Sequence, residues 1–384
     1  MLIFHANIHP MDQTPIANGF VQIKDGKIAA LGDMAECPPI FEGDLDAKGA
    51  QLYPGWVDAH CHLGLLADGL TYDQDDCNEV TDPVTPHLRA IDALYPLDHC
   101  FQEAREGGVT TVLTGPGSAN AIGGQFAAIK TAGRWIDAMV VKAPVSMKFA
   151  LGENPKGAYG EKKESPMTRM ATAALIRETL AQAQEYLRRK QEAEKDEDKD
   201  APDFDAKLEA LVPVVRGELP AHFHAHRADD IATAIRIAKE FQLDYVIIHG
   251  TEGHLISDLL AQEQVRVVTG PIIGDRSKPE LSHQTMENTA RLSAAGVKVA
   301  ICTDHPENPV QYLPLAAALC TRHGLSREQA LRSITIDAAE IAGISDRVGS
   351  ITPGKDADLV LYSAQPFALD ASILGVWIDG VRVK

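Results

Sequence analysis

The sequence predicts an α/β fold: a (β/α)8 TIM-like barrel with a small β-sandwich domain formed by both chain termini. Three observations predict it. Between residues 52 and 348, short apolar runs alternate with helical patterns, and strand–helix alternation builds a parallel sheet covered by helices. Both chain ends are instead strand-rich with tight turns. Polar side chains recur where the apolar runs stop, and in a barrel such strand ends form the active-site face. A doubly wound open sheet is the alternative, but no GxGxxG follows a first strand.

Each element has a local reason. In FVQIKDGKIAALG, Asp25-Gly26 separates two alternating apolar runs, a hairpin signal. At the other end, DADLVLYSA precedes VWIDGVRVK, with Asp379-Gly380 at a second turn. Residues 1–51 and 349–384 therefore read as one composite β domain. The runs PGWVDAHCHLG, VTTVLTGPG, PVSMKFALG, LPAHFHAH, YVIIHG, VRVVTG and VKVAICTD read as barrel strands. ADDIATAIRIAKEF, EGHLISDLLAQE and HQTMENTARLSAAG have helical spacing between them. Residues 154–217 interrupt this alternation as a charged helical insertion, read as a solvated hairpin on the rim.

Composition excludes several roles. The net charge of −18 argues against a nucleic-acid partner, whose phosphates want a basic face. No run approaches the roughly 18 apolar residues of a membrane span. MLIFHANIHPMDQ lacks the basic and apolar regions of a signal peptide. Six scattered cysteines without CxxC pairs suit reduced thiols and a cytoplasmic location. A homo-oligomer is compatible with the sequence, which does not specify one.

The strand ends carry the chemistry. His60 and His62 alternate on a strand, so both imidazoles face one side and Cys61 the other. His222, His224 and His226 share one strand face in HFHAH. IIHG ends in His249 and ICTDHP contains Asp304. A core role for one histidine is ordinary, but not for this whole series. Neutral imidazoles with a carboxylate suit one or two divalent ions, zinc first. LTGPGSANAIGGQ lacks GK[ST] and reads as a pocket wall, not a phosphate loop. His254 and His283 read as rim residues and Glu252 as a helix start.

At this point the chain resembles the metal-dependent amidohydrolase superfamily, nearest its imidazolonepropionase-like branch. The resemblance rests on PGWVDAHCH, the ordered HxH, His, His and Asp series, and the terminal segments IANGFVQIKDGKIAALG and RVGSITPGKDADLVLYS. It implies that His60, His62 and Asp304 hold the more buried metal, with Asp304 as general base. It implies that His224 and His249 hold a second metal, or that one of them polarises a substrate carbonyl. His226 becomes a substrate contact. Lys148, carboxylated, or Glu153 would supply the bridging ligand. Lys148 sits in an apolar run where a bare ammonium is costly.

One position departs from the family pattern. Relatives that deaminate, and imidazolonepropionase itself, place a glutamate three residues after the fifth-strand histidine. Here Arg227 stands there. Arginine cannot shuttle that proton but can hold a substrate carboxylate; a pair with Asp229 or Asp230 is the alternative. The implied activity is hydrolysis of an amide or cyclic amide C–N bond in a small molecule. Heterocycle deamination and a noncatalytic scaffold on the same fold are the alternatives.

Overall fold

The computed structural model describes residues 1–66 and 75–384. The chain opens with β1 (Leu2–Ile8), β2 (Ile16–Lys24), β3 (Lys27–Asp33), β4 (Leu45–Asp46) and β5 (Gln51–Pro54). Eight barrel strands follow: β6 (Trp56–Cys61), β7 (Val109–Thr114), β8 (Ile122–Lys130), β9 (Val140–Ala150), β10 (Ala221–Ala225), β11 (Tyr245–His249), β12 (Arg266–Thr269) and β13 (Lys298–Ile301). The chain closes with β14 (Leu359–Tyr362), β15 (Ile373–Ile378) and β16 (Val381–Arg382).

The terminal segments share one sheet of order β16-β15-β14-β5-β1-β2-β3, with β4 beside β1. Its junction is β14 antiparallel to β5, with Leu359 opposite Pro54. The sheet thus takes in Gln51–Pro54, and the chain enters the barrel at Gly55. A side chain could not fit there: a Cβ on Gly55 would lie 2.0 Å from Thr110 Oγ1.

The barrel sheet runs β6 through β13 in order. One strand departs from the expected all-parallel pattern. β8 is antiparallel to both β7 and β9. The links on either side of it are short, and parallel neighbours need a crossover of a dozen or more residues. The sequence assigns IGGQFAAIK to no barrel strand, because paired glycines weaken a strand signal.

β6 is buried along its whole length. Two apolar clusters lie between the strands and their helices. The segment 154–217 is more than a solvated hairpin. Its helices Arg169–Lys195 and Ala206–Val215 bury Ala173, Ile176, Leu180, Leu211 and Val214 with Phe149 and Phe223 of the barrel. They form the crossover between parallel β9 and β10, so an apolar face must cover the sheet. Thr168 caps the longer helix through Ala171 N. Arg169 ties that helix to Asp230 at 2.9 Å. Among the described residues, no helix is long and apolar enough to cross a membrane.

A buried ion cluster joins the two sheets. Lys130, at the end of β8, lies 2.9 Å from Asp356 and 3.5 Å from Asp379, and it also pairs with Asp358. Burial opposes its charge, but Asp358, Asp379 and Asp356 outweigh burial and hold the amine protonated. Removing one member of a buried network costs roughly 3–5 kcal/mol, because the partners keep their charge. Lys130→Met is expected to lower stability by about that amount, read from the urea midpoint. An unchanged midpoint would show that the cluster is not a joint.

Candidate metal centre

β6 aims His60 and His62 into the barrel from one face. Asp304 meets them from the loop after β13, its Oδ1 3.6 Å from His60 Nε2 and 3.4 Å from His62 Nε2. His62 Nδ1 lies 2.7 Å from the Gly115 carbonyl. A carbonyl only accepts, so Nδ1 carries the proton and Nε2 presents its lone pair. Lys148 Nζ lies 3.1 Å from His60 Nε2 and is fully buried.

A second group sits beside the first. His224, His226 and His249 bring one nitrogen each within 4.8 Å of one another, as do the ligand atoms of His60, His62 and Asp304. The His249 ring centre is 4.6 Å from His224 and 5.7 Å from His60. His249 Nδ1 faces the Gly270 carbonyl at 2.6 Å, which again leaves Nε2 as an acceptor. His226 Nδ1 meets Thr251 Oγ1 at 2.7 Å. His249 and Asp304 both hold positive φ, 72° and 54°. Such backbone is sparse for non-glycine residues and clusters at functional sites.

The donor set fits a metal ion on its own evidence. Both ring nitrogens of His224, Nδ1 of His60 and Oδ1 of Asp304 are buried without a hydrogen-bond partner. Buried polar atoms are normally satisfied; the unpartnered Asp304 Oδ1, and the one His224 nitrogen that faces His226 and His249, therefore fit a cation. At His62 burial opposes the charge, but Cys77 and Asp304 outweigh it and raise the ring to about 10. Burial keeps the other four imidazoles neutral, as ligation requires. It pushes His60, His224 and His226 well below the ordinary value and His249 down to about 4. Burial would raise Asp304, but His249 and His62 outweigh it and hold the carboxyl below its usual range. Burial also pushes the Lys148 amine down to about 8.

A cavity of about 680 Å³ opens above both groups, bordered by His62, His224, His226, Ser118, Lys278 and Asp304. Gly117 and Ser118 form part of its wall, as the glycine-rich segment suggested. His222 is buried lower in the barrel, in register with Lys148. His226 belongs to the second ligand group as well as the cavity wall. His254 bonds backbone at Thr251, and His283 pairs with Glu252.

Two expected site residues point elsewhere. Arg227 is half-buried and pairs with Asp229 at 2.9 Å, outside the cavity wall. It precedes the helix Ala228–Phe241, so the carboxylate two residues on captures it locally. Glu153 opens the helix Glu153–Gly160 and spends its carboxylate on the backbone N–H of Glu280, 3.3 Å away. Two site residues escaped the sequence reading. Lys278 and Glu280 follow β12 in the irregular segment DRSKPEL, which has no periodicity to mark an inward face.

Residues 52–383 match the model of the amidohydrolase family. The chain belongs to that family. The amidohydrolase tasK of Hapsidospora irregularis is 31% identical over 387 residues, which is 94% of this chain and 39% of that protein. An imidazolonepropionase of Geobacillus kaustophilus is 43% identical over 76 residues, covering 19% of this chain and 18% of that one. The chain thus spans well under half the length of these curated relatives. The crystal structure of an amidohydrolase from Thermotoga maritima superposes with a TM-score of 0.95 at 44% identity, over 100% of this chain and 99% of that one.

Protons compete poorly for His224, His226 and His249 but well for His62 beside Asp304. Zinc uptake by the second group of metal-stripped protein is expected to persist at about pH 5.5, below the ordinary histidine value of about 6.5, and to fail as pH nears 4, whereas uptake by the first triad must displace the His62 proton and should weaken as pH falls. Dialysis against zinc followed by atomic emission reads this; a midpoint near 6.5 would mean solvated imidazoles. Arg227→Ala is expected to leave metal content unchanged and turnover within about twofold, as a surface pair contributes little. A rise in KM for acidic substrates alone would return Arg227 to the pocket.

Proposed function

We propose that this protein is a metal-dependent hydrolase that cleaves the C–N bond of a small amide or cyclic amide with water. The convergence of two ligand triads beneath one cavity carries the reading. His60, His62 and Asp304 would hold one divalent ion; His224 and His249 belong to the set that would hold a second. A bound ion of this kind, zinc by its donor set, supplies water activated near neutral pH and Lewis acidity toward a carbonyl.

The chain's own groups do the rest. Asp304 stays ionised between His60 and His62, placed to accept a proton and return it to the leaving nitrogen. The Gly115 and Gly270 carbonyls fix the tautomers of His62 and His249. Lys148 has a buried amine that is easily neutral, the form able to take up carbon dioxide and become an anionic bridge. Lys278 is the cation on the cavity wall, so an anionic substrate group would meet it and not Arg227. The acidic surface fits a small-molecule substrate and no polyanion. The scattered cysteines fit a cytoplasmic setting.

The test combines metal analysis of protein purified without chelator with a screen of amides and lactams. Asp304→Asn is expected to lower turnover by at least about 100-fold, the lower range for a lost general base. His60→Ala is expected to lose metal while circular dichroism stays native. Full turnover with native metal content in either variant would sink the mechanism. Ammonia release from aminopurines or aminopyrimidines, without amide cleavage, would favour deamination.

A further inference from the structure

Glu280 is a buried carboxylate set against two histidines of the second group. Its side chain is 0% exposed. Oε1 lies 3.6 Å from His226 Nε2 and 4.0 Å from His224 Nε2. Lys278 Nζ is 2.9 Å from Oε1, yet Oε1 lacks a hydrogen bond of acceptable geometry. Lys278 reaches in from the cavity wall, with its side chain 31% exposed. An ion pair alone could form there without burying the carboxylate against two rings.

The position is also built. Oε2 accepts from Glu153 N at 3.0 Å, and the Glu153 carboxylate accepts from Glu280 N at 3.3 Å. Gly152 makes room: its φ is 85°, and a Cβ there would lie 2.7 Å from Glu280 Oε2. Two backbone pins and a glycine thus aim Oε1 at the second histidine group, within 4.0 Å of His224 and His226. His224, His226 and His249 bring one nitrogen each to that group. Four N and O ligands are what a tetrahedral divalent ion takes.

We propose that Glu280, with His226, completes a second divalent-ion site alongside His224 and His249. The proposal rests on the reading of His60, His62 and Asp304 as the first site. In it, Glu280 supplies the anionic ligand, Glu153 positions Glu280, and Lys278 balances charge from the solvent side.

The experiment titrates metal-stripped protein with Zn²⁺ against a chromogenic chelator. It compares wild type, Glu280→Gln and Asp304→Asn, with cobalt absorption as a second readout of geometry. Wild type is expected to take two ions. Glu280→Gln should weaken one by at least about tenfold, the scale of lost support at metal sites, and change its cobalt spectrum. Asp304→Asn should weaken the other. Two unchanged affinities in Glu280→Gln would overturn the proposal. So would a single wild-type ion that Asp304→Asn removes and Glu280→Gln does not, which leaves the first site standing. A single ion sensitive only to Glu280→Gln would support this site and overturn the first. No uptake by wild type would overturn both. If Glu280→Gln fails to fold, Glu280→Asp keeps the charge, withdraws the oxygens by one methylene and should weaken the same ion; unchanged binding there overturns the proposal.

Discussion

Asp304 donates its backbone N–H to the His60 carbonyl at 3.1 Å, and His62 donates its own to His305 at 2.9 Å. Below them, Thr303 donates its backbone N–H to Asp58 at 3.2 Å and also its hydroxyl. These bonds join the first and last barrel strands, which have no ladder between them in the sheet path. The first triad exists only because of this closure. Two of its members come from residue 60 onward and the third from beyond residue 300. Burial pushes Asp58 up to about 7, so the bonds to Thr303 work in a dry interior where they are electrostatically strong.

Depth organises the rest of the site. The same burial that would penalise a charged imidazole keeps His60, His224, His226 and His249 ready as neutral lone-pair donors, while Cys77 and Asp304 hold a proton on His62. Carbonyls at Gly115 and Gly270 settle which nitrogen is free. Both carbonyls belong to strand-end turns, so the barrel backbone itself sets the tautomers. The ordering is economical in residues: β10 supplies His222 and His224 at two depths along a single face, and His226 follows just past its end.

What could be read in the sequence was whatever strand geometry makes periodic. His60, His62, His224, His249 and Asp304 stand where apolar runs end, and Lys148 stands inside one, so their convergence was foreseeable. The pairing of both termini was visible in their turn chemistry. β8 was hidden because Gly123-Gly124 and the short links around it resemble a loop. Glu280 was hidden because it lies on a single irregular turn, Pro279–Leu281, whose inward direction is set by Gly152 and Glu153 far away in sequence. Arg227 misled because spacing from a ligand histidine does not fix direction once the strand has ended. A carboxylate two residues away decided it.

The pairing of β14 with β5 has a consequence for how the chain is made. Gln51–Pro54 leaves the ribosome long before Leu359–Tyr362. Until then, one side of β5 is an open edge of unpaired backbone, the arrangement that invites pairing with other chains. Lys130 likewise waits for Asp356, Asp358 and Asp379 to arrive. The nascent protein therefore carries both an exposed strand edge and an unmatched charge through most of its synthesis. The period of greatest aggregation hazard ends only when the last strands dock.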